Sequence, residues 1–209
     1  IFIISGGASS LLCYPNEISC DVETSIIKAL TKQGATITEL NTVRKHISKV
    51  KGGQLAKLCY PATVVSLIFS DVPGNQLDTI ASGPTVKDTT TMRDAARILH
   101  HYNVLELCQM PSCQLVETPK EDKYFEKVYN ILLVSPEYIV EAMKVKARDL
   151  GWKTEIYSTA FEGEASMLAR EIVSNAKPKT CLIGAGEATV KIRGDGLEGR
   201  CQVMAVASL

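Results

Sequence analysis

The stretch TVVSLIFSDVPG, residues 63–74, decides the fold class that we predict from this sequence. Its first part, 63–70, is a nearly continuous apolar run with β-branched residues, which is typical of a strand buried on both faces of a parallel sheet. The run ends at Asp71, Pro73 and Gly74, which favour a turn. We therefore expect a central strand with a carboxylate at its carboxyl end.

Strands and helices are predicted to alternate on both sides of this stretch. A strand over 1–4 precedes a helix over 21–33, and residues 35–40 (ATITEL) predict another short strand. A helix is predicted over 88–102, and from 128 to 184 strands and helices alternate at lengths suited to βαβ crossovers. This order predicts an α/β fold with a Rossmann-like, mostly parallel sheet and flanking helices.

The composition excludes several classes of function. The 209 residues carry 23 basic and 23 acidic side chains, so the formal net charge is zero. This balance gives no basic footprint for a nucleic-acid backbone, and the apolar runs are too short to span a bilayer. We therefore expect neither nucleic acid nor a membrane as a partner.

The cysteines and the chain ends add two expectations. Because the seven cysteines form no CxxC or Cys/His ligand pattern, we expect reduced, partly buried thiols, with a redox or metal clip at Cys108 and Cys113 as the alternative. The chain begins with Ile1 and ends with Leu209, each inside an apolar run, and it has no initiator methionine. We expect it to be a piece of a longer protein.

Ligands of open α/β sheets bind beyond the carboxyl ends of the strands, so the polar segments at those ends are the candidate sites. The loop 5–9 (SGGAS) would offer backbone N–H groups to a phosphate or carboxylate oxygen, unless it is an ordinary strand-to-helix turn. Asp71 would hold Mg²⁺ or accept a proton from a substrate hydroxyl, with turn formation as the alternative. The nearby loop 81–85 (ASGPT) carries no such signal by itself.

A basic stretch offers cations for an anionic ligand. Arg44, Lys45, His46, Lys49 and Lys51 fall within eight residues, a pattern that is usually a solvated helix face. The ending Lys-Gly-Gly at 51–53 favours a functional role, because a lysine beside a flexible turn can neutralise a phosphate. The chain contains no Walker A pattern.

The last polar segment, 184–200, is rich in glycine. Residues 194–199 match GxGxxG, but the dinucleotide interpretation also needs an acidic residue about 20 positions further on, and the chain stops before that. What remains is a glycine-rich loop beside Glu187 and Arg200, a pair that can position a metal and a phosphate.

With these segments in order, the sequence resembles the class II glycerate kinases, the glycerate 2-kinase family whose C-terminal part is the MOFRL domain, and animal members look closest. The resemblance rests on ISGGASSLL (4–12), ELNTVRKHISKVKGG (39–53), YPATVVSLIFSDVPGN (60–75), IASGPTVKDTT (80–90), ETPK (117–120), EGEA (162–165) and GEATVKIRGDGLEGR (186–200).

The resemblance implies an activity and a set of site residues. It implies phosphorylation of D-glycerate at its 2-hydroxyl by ATP, with Mg²⁺ or another divalent cation. The catalytic residues it implies are Lys51, Asp71 and Arg200, and the metal ligands are Asp71 and Glu187. The substrate- or nucleotide-binding residues it implies are Ser5, Gly6, Gly7, Ser9, Arg44, Gly52, Ser82, Gly83, Thr85, Gly186, Glu187 and Thr189.

The resemblance also implies how the chain divides. Residues 1–176 correspond to the N-terminal, Rossmann-like domain without its start, and residues 177–209 begin a truncated MOFRL domain. We expect this piece to be inactive by itself, and we expect the whole protein in the cytoplasm or the mitochondrion, with a homodimer as one possible assembly.

The sequence departs from the family pattern, and this keeps alternatives open. The family's GGRNQE becomes EGRCQV at 198–203, and Ala8 stands where the family has glycine. A non-catalytic relative that binds glycerate or a nucleotide is therefore one alternative. An NAD(P)H-dependent hydroxypyruvate reductase, suggested by GxGxxG, is the other.

Overall fold

The structure is a computed structural model that describes residues 1–190 and 199–209. Its helices and strands are, in chain order, β1 (Phe2–Ser5), α1 (Ala8–Leu11), α2 (Cys20–Lys32), α3 (Ile37–His46), α4 (Gln54–Cys59), β2 (Val64–Phe69), α5 (Met92–His101), α6 (Val104–Leu107), β3 (Val128–Val134), α7 (Pro136–Asp149), β4 (Lys153–Glu164), α8 (Ala165–Ser174), β5 (Thr180–Thr189) and α9 (Arg200–Ala207). Short 3-10 helices cover Pro73–Asn75, Ile80–Ser82 and Asp122–Tyr124.

The chain divides into two compact units, Ile1–Leu133 and Val134–Leu209. The first contains a sheet in the order β1-β2-β3, in which β1 and β2 are parallel. The second contains the parallel pair β4 and β5. The predicted α/β class with parallel strands and flanking helices is confirmed. The predicted boundary at 176/177 falls inside the second unit, so the assignment of 177–209 to a MOFRL domain stays a prediction.

The first unit has two hydrophobic clusters. A helical cluster packs α2, α3, α5 and α6 together, and its members include Ile26, Val43, Ile98 and Val104. A second cluster joins the sheet to the loop after β2 through Ile4, Ile68, Ile80 and Ala81. This second cluster fixes the loop 80–83 at the edge where β1 and β2 end.

The predicted strand at 35–40 is wrong, because residues from Ile37 onward form α3. Thr36 accepts a hydrogen bond from the Glu39 backbone, while the Glu39 side chain accepts one from the Thr36 backbone. This capping box satisfies two N–H groups that a helix start leaves without partners. The local start signal therefore outweighs the β-branched residues of ATITEL.

The strand at 63–70 is confirmed as β2, although its burial differs from the prediction. Val64, Ser66 and Ile68 are buried, whereas the alternate residues are partly buried and Phe69 is 37% exposed. Successive side chains of a strand point to opposite faces, so one face of β2 is packed more completely than the other.

The prediction that all cysteines are reduced is wrong for Cys13 and Cys20, which form a disulfide. Their spacing matches no redox or metal motif, so the sequence carried no signal for it. Ser19 caps α2 and starts the helix beside the loop that holds Cys13, which leaves the two Cα atoms 5.9 Å apart. That separation lies within the usual range for a disulfide.

Among the described residues, none of the helices combines the length and the apolar character that crossing a bilayer requires.

Candidate functional site

The candidate site of the first unit lies where β1 and β2 end. These strands run parallel with Ser5 opposite Phe69, so the segments that follow them lie side by side. A Cβ added to Gly6 would lie 1.9 Å from Oδ2 of Asp71. The carboxylate therefore fills the space that any side chain at position 6 would need. Gly7, with φ 76°, turns the chain into α1, a conformation that glycine adopts without a Cβ clash.

A chain of polar contacts extends from this edge to α3. The Ser82 hydroxyl lies 3.3 Å from the Ser9 hydroxyl and donates a hydrogen bond of 3.1 Å to Oδ1 of Asn41. The same Oδ1 accepts a hydrogen bond of 3.3 Å from Nη1 of Arg44. We call Ser9, Asn41, Arg44 and Ser82 the polar cluster. It unites three of the predicted binding residues with Asn41, which was not among the residues predicted from the sequence.

The loop that supplies Ser82 has an unusual backbone. Ala81, Ser82 and Gly83 have φ values of 53°, 58° and 60°. The left-handed conformation costs about 1–2 kcal/mol for each residue with a Cβ. Such strain persists only where the surroundings enforce it, and it is frequent at functional sites.

The Lys-Gly-Gly turn at 51–53 holds this loop in place. The Gly52 N–H donates to the Ser82 carbonyl at 2.9 Å, and the Gly53 N–H donates to the Gly83 carbonyl at 2.8 Å. Gly52 has φ 59°, and a Cβ there would lie 2.8 Å from Cγ2 of Thr118. The two glycines, expected to offer a flexible turn to a phosphate, are buried and brace the strained loop instead.

Lys51, predicted to be catalytic, is buried. Its Nζ donates a hydrogen bond of 2.6 Å to Oε1 of Glu23, and the two side chains are 1% and 7% exposed. Direct contact between Lys51 and a reactant would require breaking this buried ion pair. The geometry therefore supports a structural role for Lys51, and it reveals Glu23 as a residue that no sequence motif indicated.

Arg44 has a different environment from Lys51. Its side chain is partly exposed. Burial lowers the pKa of its guanidinium from the ordinary value, and the negative charge of Glu23 opposes this effect. Since an arginine side chain stays protonated in proteins, Arg44 brings a positive charge to the polar cluster.

Lys45 and His46 of the basic stretch belong to a buried network, although such a run is usually solvated, whereas Lys49 is exposed. Lys45 is 4% exposed and pairs with Asp88 at 3.1 Å and with Asp78 at 3.4 Å. His46 is fully buried and bonds to the Thr42 carbonyl and to Glu117. Burial opposes ionisation of Asp88, but hydrogen bonds from Thr90 and the charge of Lys45 outweigh it and hold the pKa of Asp88 below its usual value.

Thr85, a predicted binding residue, is 1% exposed. Its hydroxyl accepts a hydrogen bond from Ser66 on β2 and donates one of 2.6 Å to Asn130 on β3. The hydroxyl thus links two strands of the sheet. The geometry supports a structural role for Thr85.

The second unit holds the remaining predicted residues. Nη2 of Arg200 donates to Oε1 of Glu187 at 2.5 Å, with both side chains 49% exposed. The Thr189 hydroxyl donates to the Gly163 carbonyl. A Cβ on Gly186 would lie 2.2 Å from the Phe161 carbonyl oxygen, so glycine at this position allows β4 and β5 to approach each other closely. Glu187 and Arg200 are adjacent as predicted, and each compensates the charge of the other.

Two further predictions concern ligands. The GxGxxG match at 194–199, on which the reductase alternative depends, lies outside the described residues apart from Gly199. In the part of the chain that the structure describes, no group of three or more His, Cys, Asp or Glu side chains is placed to hold a metal.

A family model supplies the decisive comparison, because it matches more than half of the chain. Residues 1–113 match the model described as "Domain of unknown function (DUF4147)". The chain belongs to this family. The matched DUF4147 segment includes β1, β2, the polar cluster, Glu23 and Asp71.

Several curated proteins similar to this DUF4147 chain are named as kinases, whereas one from Agrobacterium vitis, 40% identical over 96% of the chain, is named a putative hydroxypyruvate reductase. A glycerate 2-kinase of Pyrococcus horikoshii is 42% identical and matches 94% of the chain. A D-glycerate 2-kinase of Thermotoga maritima is 37% identical over the whole chain, and a glycerate kinase of Rattus norvegicus is 32% identical over 99% of it. The rat protein is thus less similar than these two microbial proteins, contrary to the expectation that animal members are closest. The chain spans about half the length of each relative.

A solved structure agrees with these sequence comparisons. The crystal structure of a glycerate kinase from Thermotoga maritima superposes with a TM-score of 0.81 at 36% identity. The superposition covers 99% of this chain and 52% of that structure.

Proposed function

We propose that the protein containing this chain is a glycerate 2-kinase, which transfers a phosphoryl group from ATP to the 2-hydroxyl of D-glycerate. The observation that carries the proposal is the meeting of Asp71, the Gly6-Gly7 turn and the polar cluster at the carboxyl ends of two parallel strands. This is the edge at which open α/β sheets bind ligands. The names of the curated relatives supply the substrate.

Asp71 fits the divalent cation that such a reaction uses. Its side chain is exposed, and among residues 1–190 and 199–209 no side chain or backbone N–H group donates a hydrogen bond to its carboxylate. Mg²⁺ typically takes one or two protein carboxylates and completes its shell with water and phosphate oxygens. A single exposed carboxylate therefore suits Mg²⁺ better than it suits a metal held entirely by protein ligands.

ATP and the cation supply the transferable phosphoryl group and most of the charge neutralisation when they are bound. The chain's own residues bind the substrate and ATP and orient them for the transfer. The Gly6-Gly7 turn leaves room for an anion to approach the backbone, and Arg44 offers a guanidinium to a carboxylate or a phosphate. We also propose that Asp71 accepts the proton of the attacking hydroxyl, as a carboxylate does in other kinases.

In the second unit, Glu187 and Arg200 are proposed as the metal- and phosphate-binding pair that the sequence predicted. Their ion pair is half exposed, so an anionic ligand can compete for the guanidinium at small cost. We propose that Arg200 exchanges Glu187 for a phosphate oxygen when ATP binds.

The test uses the full-length protein with ATP, Mg²⁺ and D-glycerate, and phosphorus NMR distinguishes 2-phosphoglycerate from 3-phosphoglycerate. We expect 2-phosphoglycerate from the wild type and a kcat lowered by about 100-fold or more in Asp71→Asn, the range for losing a proton-transfer group. Asp149→Asn is the control, because it removes the same charge from the exposed end of α7.

Three outcomes would contradict the proposal. A folded full-length protein that forms no 2-phosphoglycerate is not this kinase. Oxidation of NADH by hydroxypyruvate without phosphoryl transfer would support the reductase alternative. Calorimetric binding of D-glycerate without turnover would support the non-catalytic relative.

A further inference from the structure

We propose that Asn41 is a substrate-binding residue, whose side-chain amide donates a hydrogen bond to the carboxylate of an α-hydroxy acid beside Arg44. The inference rests on the proposed function, because it takes D-glycerate as the ligand. Neither the family model nor the names of the relatives assign a role to this residue.

The orientation of the Asn41 amide follows from its partners. Arg44 has only donors, so the atom of Asn41 that meets Nη1 must be the carbonyl oxygen Oδ1. Because this oxygen can only accept, the Ser82 hydroxyl beside it must donate its single hydrogen to it. Both contacts fall on Oδ1, which directs the NH₂ group away from Arg44 and Ser82.

That NH₂ group has no partner in the described part of the chain. Nδ2 of Asn41 donates to no acceptor among residues 1–190 and 199–209, although the residue is only 6% exposed. It is not one of the fully enclosed polar atoms that lack a hydrogen bond, so it keeps contact with solvent. A donor that is nearly buried and still open to a ligand is the feature that calls for an acceptor, because burying it unpaired is costly.

The charge around Asn41 indicates that the acceptor is an anion. Glu23 is the carboxylate that compensates two cations, since it pairs with Lys51 and its charge also acts on Arg44. One carboxylate cannot pair closely with both, and Arg44 forms no salt bridge with any described residue, so its guanidinium keeps a positive charge that no ion pair compensates. The partly exposed Arg44 presents that charge beside the Asn41 amide.

A small carboxylate fits this arrangement. One of its oxygens can accept from Nδ2 of Asn41 while the guanidinium of Arg44 binds the other, as charge-assisted hydrogen bonds to carboxylates commonly do. The hydroxyls of Ser9 and Ser82 lie next along the polar cluster, towards Gly6 and Asp71. A 2-hydroxyl on the adjacent carbon of the ligand would then point towards the end of β2, where Asp71 lies.

The experiment compares two ligands that differ only in the group that Asn41 would bind. Full-length wild type and Asn41→Asp are titrated calorimetrically with D-glycerate, with its neutral amide D-glyceramide, and with ATP. The variant keeps an oxygen for Arg44 and Ser82, but it replaces the NH₂ donor by a negatively charged acceptor. Asn103→Asp is the matched control, since Asn103 is exposed and lies outside the polar cluster.

We expect Asn41→Asp to weaken D-glycerate binding at least tenfold, with binding of D-glyceramide and ATP changed less than threefold. The amide ligand should be spared because its own NH₂ can donate to the new carboxylate. Asn103→Asp should change none of the three affinities by more than threefold.

Other results would overturn the inference. Equal losses for D-glycerate and D-glyceramide would indicate a general structural effect, and a selective loss for ATP would assign the amide to a phosphate. If Asn41→Asp fails to fold, as judged by circular dichroism, Asn41→Ala must show the tenfold loss for D-glycerate, and an unchanged affinity refutes the inference. Because binding is measured without turnover, wild type that binds D-glycerate but does not phosphorylate it contradicts only the kinase proposal, and wild type that does not bind it contradicts both.

Discussion

Replacing Glu23 by glutamine should destabilise the protein strongly, because it leaves the ammonium of Lys51 buried without its counter-charge. The side chains of Lys51 and Glu23 are 1% and 7% exposed, and Nζ lies 2.6 Å from Oε1, so solvent hardly screens the pair. Removing one partner of a buried ion pair costs about 3–5 kcal/mol. With about 2–4 °C of Tm per kcal/mol for a domain of this size, Glu23→Gln should lower Tm by about 6–20 °C.

The assay is thermal unfolding of the full-length protein followed by circular dichroism, with two controls. Glu155→Gln removes one partner of the exposed pair Glu155–Lys177, whose side chains are 44% and 63% exposed, and should cost at most about 1 kcal/mol. The double variant Glu23→Leu with Lys51→Met removes both buried charges. It should recover most of the lost Tm, because apolar replacements of buried ion pairs are often neutral or stabilising.

Two results would refute this reasoning. A Tm loss in Glu23→Gln no larger than that of Glu155→Gln would show that the ammonium of Lys51 does not depend on Glu23. A double variant as unstable as the single one would show that packing, and not charge, holds the pair. In the first case Lys51 would again be available as the catalytic cation that the resemblance implies.

Three further perturbations test other parts of the first unit. Gly6→Ala places a Cβ where the Asp71 carboxylate lies, and by displacing that carboxylate by about 1 Å it should lower kcat about 100-fold in the assay for 2-phosphoglycerate. Burial raises the pKa of Asp88, but hydrogen bonds from Thr90 and the charge of Lys45 lower it by more, so the native pKa lies below the unfolded value of about 3.9. Asp88 therefore stabilises the fold above about pH 3.9, and urea titrations should show this stability being lost as the pH falls from that value through the native pKa. Thr91→Ala removes the cap of α5 and should cost about 1 kcal/mol in the same urea titrations, while a change below about 0.3 kcal/mol would contradict the observed capping box.

The fold was largely predictable because its signals are local. The apolar run at 63–70 predicts a strand, and after residue 128 strand-like and helix-like spacings of apolar residues alternate. Both signals come from residues that lie close in sequence. The strand predicted at 35–40 is wrong for a local reason too, since the capping box of Thr36 and Glu39 outweighs the β-branched residues. The disulfide could not be predicted, because the proximity of Cys13 to Cys20 depends on how the loop meets α2.

The site was predictable only in part, because burial decides which of its charges are available. Arg44, Lys45 and Lys51 lie in one basic stretch, and the sequence alone does not distinguish their environments. In the structure Lys45 and Lys51 are buried against carboxylates, while Arg44 keeps partial exposure. Pairing partners such as Glu23 and Asp88 lie 28 and 43 residues away from the lysines that they bind, so no motif at short spacing could have revealed them.

One signal for Asn41 was nevertheless present in the sequence. Asn41 and Arg44 are three residues apart, and on a helix this spacing brings two side chains together on one face. The spacing alone does not distinguish this pair from the many polar pairs on helices that bind nothing. Once Lys51 is compensated by Glu23, the amide and the guanidinium together are the better candidate for recognising an anion, because a carboxylate needs donors that reach it as well as positive charge.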